Sequence, residues 1–353
     1  MQRTGIVLLV LTGLLIMAGS GSAQKITQDE NGMFSTGLLS RVIGLEEGNR
    51  VVIQSAATMT GSIRIRTVPE QKVSLEYFLK SRSSDRSRAI DHIDMVAVDL
   101  DRVAGGVRLQ LRAPNPPPWE TDEATTIEIE ISVPVNSFLE VNATYFDLNA
   151  VGPFSGFVVP SSLGRLQVSD VTGQVDLTTA NRRLTISRIS GEVSVETSNS
   201  TLEAREIYSP DDQAVFRNQG GDIRIDGFDG QISVKNSFGR IELIDFRPRG
   251  DRNIIRGRSA PVVIEIADMT GEQIVVSNRF EDIDISVPDD LSATLSLSVG
   301  DEGKIEVSGL RFLADLIQRD RLSLVAGSGA GGINGLIRGD GNIFVRGIDM
   351  EEE

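Results

Sequence analysis

The chain of 353 residues has no cysteine, one histidine and one tryptophan. Without cysteine there is no disulfide, no lipid attachment site and no thiol nucleophile, so stability must rest on the packed core alone. Nucleophilic catalysis through a histidine is nearly excluded as well, because the single histidine, His92, falls in the strongly charged segment from Lys80 to His92. It reads as an exposed loop histidine. Long apolar runs are equally scarce. The one that exists opens the chain: Arg3, then the fourteen residues Gly5 to Ala18, then the small residues Gly21-Ser22-Ala23. This is the pattern of a secretory signal over residues 1–23, and the run is short for a membrane span. No later segment approaches eighteen consecutive apolar residues, so the mature chain is expected to have no integral membrane segment and to be exported, to a periplasm or to the cell surface and beyond. Basic charge is in deficit too, 35 Lys and Arg against 50 Asp and Glu for a net −15, which argues against general nucleic-acid binding.

What the chain does have is a beat. From Leu163 to Phe246 apolar pairs with one residue between their members start nine residues apart: Leu166/Val168, Val175/Leu177, Leu184/Ile186, Val193/Val195 and Leu202/Ala204. It resumes at Ile223/Ile225, Ile232/Val234 and Ile241/Leu243. A spacing of two means strand, and a unit that offers two inward side chains cannot fold alone. Stacked copies share an interior, so the expected fold is all-β: a single-stranded parallel β-solenoid with a less regular β portion at the N-terminal end. Two corner types alternate, one reading apolar-x-Gly (Val171-Thr172-Gly173, Ile189-Ser190-Gly191, Phe228-Asp229-Gly230) and one containing Asn181, Asn199, Asn218 or Asn236. A full coil is thus two strands and about eighteen residues. The Asn series reads as a structural ladder near register. An eighteen-residue coil places Asp222 opposite Arg240 and Arg224 opposite Glu242. A 27-residue coil would bring Asp222 near Arg249 instead, and an antiparallel meander would pair each strand with its successor.

Around this stretch the expected organisation is an irregular β portion over 24–133, the repeat domain over 134–348 and an acidic tail over 349–353. Four insertions interrupt the strands: Lys80 to His92, an exposed loop or short surface helix without an apolar face; Ala113 to Ala124, with four prolines and Trp119; Tyr208 to Gln213; and Arg247 to Arg258, five arginines against one aspartate. Trp119 is expected to fold back over the open end of the stack rather than to form a platform for a sugar or peptide. Phe312 to Gln318 is the best short helix of the mature chain, a plug or cap for an end that needs covering.

An alternating strand ending in Val133-Pro134, the step Leu139-x-Val141 and the iterated Gly-x-Val-x-Leu units together resemble the bacterial "putative adhesin" domain family. A second partial match runs from Ile283-Asp-Ile285-Ser-Val287-Pro288 through Gly303-Lys-Ile305-Glu-Val307 to Gly341-Asn-Ile343-Phe-Val345. The resemblance covers most of Ile127 to Ile348. It implies a right-handed parallel β-solenoid in the cell envelope, and it brings no catalytic residues.

No catalytic, cofactor or metal site is expected. Asp222, Arg224, Asp226 and Asp229, with Asp211 and Asp212, have the residue types of polysaccharide-cleaving solenoids, but charge alternation on a solvated sheet explains them. Calcium-binding nonapeptide rolls share the nine-residue beat, yet Gly220-Gly221-Asp222 and Gly339-Asp340-Gly341 occur only in isolation. Arg-Gly-Asp stands at Arg249 to Asp251 and at Arg338 to Asp340, a weak motif for integrin contact. Arg247 to Arg258 is a local basic patch able to touch phosphate or acidic glycan, with a solvated loop as the default reading. The expectation is a non-enzymatic, adhesin-like interaction module whose partner is an envelope protein or glycan, acting through the insertions. The alternatives are a self-assembling scaffold or a polysaccharide-active enzyme.

Overall fold

The structure is a computed structural model that describes residues 26–29, 32–45, 48–83, 85–120 and 123–348. The expected signal and acidic tail lie outside them. The protein is all-β, a large mixed sheet with one helix, Arg86–Asp94, among the described residues. In its central part every pairing is parallel and joins residues eighteen apart: Leu166 to Leu184 to Leu202, Val175 to Val193, Ile223 to Ile241. Where a loop is longer the step becomes 21, as from Leu202 to Ile223 and from Ile241 to Val262. This register rules out the 27-residue coil and, for this region, the meander.

Two parallel ladders result, one through the first strand of each unit and one through the second, and a single cluster of buried side chains runs from Ile26 to Val345. Within a unit the inward residues are not strictly alternate. Leu166 and Val168 are buried, and so is Val171, three positions on. An odd step requires the chain to reset its alternation. The reset is a column of left-handed residues, Asp170, Arg188, Glu206, Gly227 and Asp245, with φ from +47° to +73°. Four of the five carry a Cβ, which costs about 1–2 kcal/mol each in that conformation. The return is an inner column of Val171, Ile189, Ile207, Phe228 and Phe246, each worth about 1.5–3 kcal/mol of burial. Phe228 meets Phe246 of this column at a tilt and Phe216 edge-on, with ring centroids 6.0 and 6.3 Å apart. Outside, Arg188 grips Asp170 bidentately at 2.6 and 2.8 Å, and that contact holds the Asp170 carboxyl below its ordinary range.

The glycine corners work differently. At Gly191, φ +135°, a Cβ would sit 2.5 Å from the carbonyl oxygen of Gly173 in the preceding coil. Successive units touch backbone to backbone there, so only glycine fits.

Both ends depart from sequence order. At the N-terminal end the strands Arg50–Ser55 and Thr60–Val68 lie between Gly106–Arg112 and Ala124–Pro134 on one side and Ser137–Asn142 and Phe146–Ser162 on the other. Antiparallel strands Lys72–Arg82, Ala97–Val103 and Leu39–Gly44 continue the sheet outward. At the C-terminal end the last strands of the chain, Gly331–Ile337 and Ile343–Ile348, are inserted between Gln273–Asn278 and Ile283–Pro288 on one side and Ala293–Ser298 and Ile305–Ser308 on the other.

The segment Phe312 to Gln318 is not a helix. Phe312–Ile317 is a strand antiparallel to Arg321–Ala326, which itself pairs with Ala293–Ser298. Tertiary pairing overrides a helix-compatible pattern here, and the strand caps nothing, because all six residues are exposed. An apolar edge strand is an aggregation template, and this one is blunted by a bulge between Ala314 and Leu316 that displaces the charged Asp315. Asp315→Val should therefore leave the fold intact but raise concentration-dependent light scattering well above that of the wild type. Equal scattering would show that the bulge alone protects the edge.

Candidate anion-binding groove

The Asn corners form one wall of a long depression on the surface. The ladder differs from the expected one: Asn218 stacks on Thr197, not on Asn199, and Asn236 on Asn218. Asn181 and Asn199 are exposed corner residues at φ +64° and +52°. Three extra residues between Ser209 and Gln213 lengthen this step to 21, so Asn218 stands two positions before the counterpart of Asn199, at the buried strand position of Thr197 rather than in the exposed corner. Asn218, Asn236 and Asn278 are buried, and their amides donate to corner carbonyls at 2.7–3.0 Å, for instance Asn218 to Ser200 and Asn278 to Ala260. Those bonds tie each corner to its neighbour, so whatever the corners display is held in place.

They display cations. Strand alternation sends Val234 and Ile255 inward and Lys235 and Arg256 outward. Arg217, Lys235 and Arg256 are register partners in successive coils, one column at the strand spacing of about 4.7–4.9 Å. A second column follows at the corner, Arg258, Arg279 and Arg338, the last two directly after the register partners Asn278 and Ile337. Lys235, Arg256, Arg258, Arg279 and Arg338 line a groove of about 770 Å³ without a carboxylate. Among the described residues none of the six cations has an ion-pair partner, whereas Arg224, Arg247 and Arg249 do. Exposed Phe238 and Phe280 flank it, with the Arg258 and Arg279 guanidiniums 5.9 and 5.0 Å from the ring centroids. The groove continues into a second stretch of about 400 Å³ that shares Lys235 and Ser237. That stretch is lined by Ser161, Thr178, Ser198 and Gln219, with Glu196 as its one carboxylate.

The other candidates fall elsewhere. Arg224 meets Glu242 at 3.0 Å as the repeat required, but Asp222 accepts a hydrogen bond from the Arg240 backbone N–H at 2.9 Å rather than facing its guanidinium. Asp229 is clamped by Arg249 at 2.7 and 2.9 Å, which holds that guanidinium protonated far above its ordinary range and leaves the first Arg-Gly-Asp without a free arginine. The second contributes Arg338 to the groove. Of Tyr208 to Gln213 only the three residues between Ser209 and Gln213 loop out of the strand Leu202–Asn218, and Tyr208, though paired, is exposed. Among the described residues no cluster of three or more His, Asp or Glu could hold a metal ion.

His92 is not an exposed loop residue. It lies buried in the helix Arg86–Asp94, whose apolar face of Ala89 and Ile93 packs inward. Trp119 turns toward His92, ring centroids 5.9 Å apart, which places it against this helix rather than as a free platform. Glu123 ties the two together: it accepts hydrogen bonds from the Glu120 N–H, the Ser83 hydroxyl and Arg88, and these hold its carboxyl below the usual range despite burial.

No family model matches the chain, and no curated protein does. Solved structures do. A "putative cell adhesion protein" from Clostridium sporogenes matches at 8% identity and a TM-score of 0.22, over 88% of this chain and 99% of that chain. A "putative adhesin" from Bacteroides fragilis matches at 12% and 0.30, and one from Parabacteroides distasonis at 10% and 0.34, each over 88% of this chain and 97% of that chain. These names are those of the group that the strand pattern resembles. At TM-scores under 0.5 the likeness carries no argument about mechanism, which rests on the groove itself.

Proposed function

We propose that this protein is an exported, non-enzymatic binding module: a right-handed parallel β-solenoid of the cell envelope that presents a basic groove to an anionic ligand. The observation that carries the reading is the pair of columns of unpaired cations on a chain of net charge −15. Leaving six neighbouring cations unpaired among so many carboxylates forgoes six surface ion pairs, while Arg188, Arg224 and Arg249 on the same sheet are paired. The eighteen-residue parallel register supports the solenoid, and parallel crossovers in one sheet are right-handed in nearly all proteins. Export rests on the signal pattern of residues 1–23. Enzymatic carboxylate chemistry has little support, since Asp222 and Asp229 are engaged in hydrogen bonds.

The exposed strand Phe312–Ile317 favours the second reading, end-to-end self-association, but the Asp315 bulge opposes it. Retention on a carboxylated or sulfated polymer matrix decides between them. The wild type should be retained at low salt and released as salt rises, and Arg256→Gln/Arg279→Gln/Arg338→Gln should elute with the void. Equal retention of both proteins would sink the groove as the binding surface.

A further inference from the structure

We infer that the ligand is a linear acidic polysaccharide lying along the stacking direction, its carboxylate-bearing sugars over the cation columns and its hydroxyl-rich sugars over the serine and threonine stretch. The inference rests on the reading of the groove as a ligand site and adds the class of ligand.

Three features select it. First, the charges are spread over several coils instead of converging on one point. Arg217, Lys235 and Arg256 step at the strand spacing, about 4.7–4.9 Å, comparable to the length that one pyranose adds to an extended chain, so a polymer with one charge per sugar meets one cation per coil. A single phosphate or nucleotide would leave most of the columns unused. Second, the basic half runs without a break into a half where Ser161, Thr178, Ser198 and Gln219 supply donors and acceptors of neutral type. Hydroxyls of a sugar chain fit that lining, whereas a chain of phosphates would find cations only at its Arg217 and Lys235 side and would approach Glu196 beyond them. Third, Phe238 and Phe280 stand exposed at the rim, each with one guanidinium near its ring. Aromatic faces pack against the C–H faces of sugars, and Arg forks bind carboxylates beside them. The acidic body of the protein then confines any polyanion to this one track.

The test is calorimetric titration of the full mature chain with oligogalacturonates of three to twelve sugars, the same oligomers as neutral methyl esters, polyphosphate, and a single-stranded oligonucleotide. Affinity should rise with oligogalacturonate length until the groove is filled, and the methyl esters should bind at least about tenfold more weakly. Phe238→Ala/Phe280→Ala, at exposed positions where melting should not change, should weaken oligogalacturonate by about tenfold and leave polyphosphate unaffected. Polyphosphate or the oligonucleotide binding as tightly as the longest oligogalacturonate, with no dependence on the two phenylalanines, would overturn the glycan inference and keep the anion-binding groove. No binding of any polyanion would overturn both.

Discussion

Val193→Asp should unfold the protein. Val193 is 1% exposed and stacks on Val175 in the preceding coil, in a layer with Leu177 and Val195. The substitution removes about 1.5–3 kcal/mol of apolar burial and places a carboxylate where no cation can reach it, at several further kcal/mol. Against a net stability of about 5–15 kcal/mol, that exhausts most of what holds the chain folded. The adjacent Glu192 is exposed, and only its backbone takes part, its carbonyl accepting from the Val175 N–H at 2.8 Å. Glu192→Lys should change the denaturation midpoint hardly at all. Urea unfolding followed by far-UV circular dichroism separates the two. Equal midpoints would mean that the inward and outward faces of the coil are assigned the wrong way round.

That contrast was legible in the sequence because the period of two and the spacing of nine together set both the face and the coil. The Arg224–Glu242 pair followed from the same arithmetic and is present at 3.0 Å. Where residues do not follow turn chemistry, legibility ends. Arg188 and Glu206 are poor choices for a left-handed bend, yet both occupy one, because the buried Ile189 and Ile207 require the alternation to reset just before them. Phe312, Leu313, Leu316 and Ile317 have helical spacing, and only pairing with Arg321–Ala326 makes them a strand. Ala89, His92 and Ile93 make a small buried helical face, hidden by the many charges around it. The groove was half visible. Arg256 and Arg258 stood in a recognisable basic patch, but Arg279 and Arg338 are 59 residues apart and adjoin only because the last coil enters the stack out of order.

That out-of-order coil sets the second large effect. In a solenoid built in sequence order, removing the final coil costs one interface and shortens the rod. Here Ile333 lies between Ile274 and Leu295, and Ile343 between Ile283 and Ile305, so a chain ending at Ala330 loses an internal layer with two interfaces. Ile333, Ile337, Ile343 and Val345 are all buried, and their removal forfeits about 6–12 kcal/mol before the newly exposed neighbours are counted. The strands Ala293–Ser298 and Ile305–Ser308 hold to the body through this layer, and no pairing joins them directly to Gln273–Asn278 or Ile283–Pro288 among the described residues. Truncation after Ala330 should thus release everything beyond Pro288, seen as loss of amide protection across 293–326 and a melting temperature lower by well over ten degrees or outright aggregation. Replacing the hairpin 311–328 with a short flexible linker deletes a comparable number of residues from the outermost edge and should leave the protection of 293–298 in place. If the truncated chain keeps its protection at 293–298, those strands have closed directly onto 273–278, and the slot is a consequence of the last coil rather than a requirement for it.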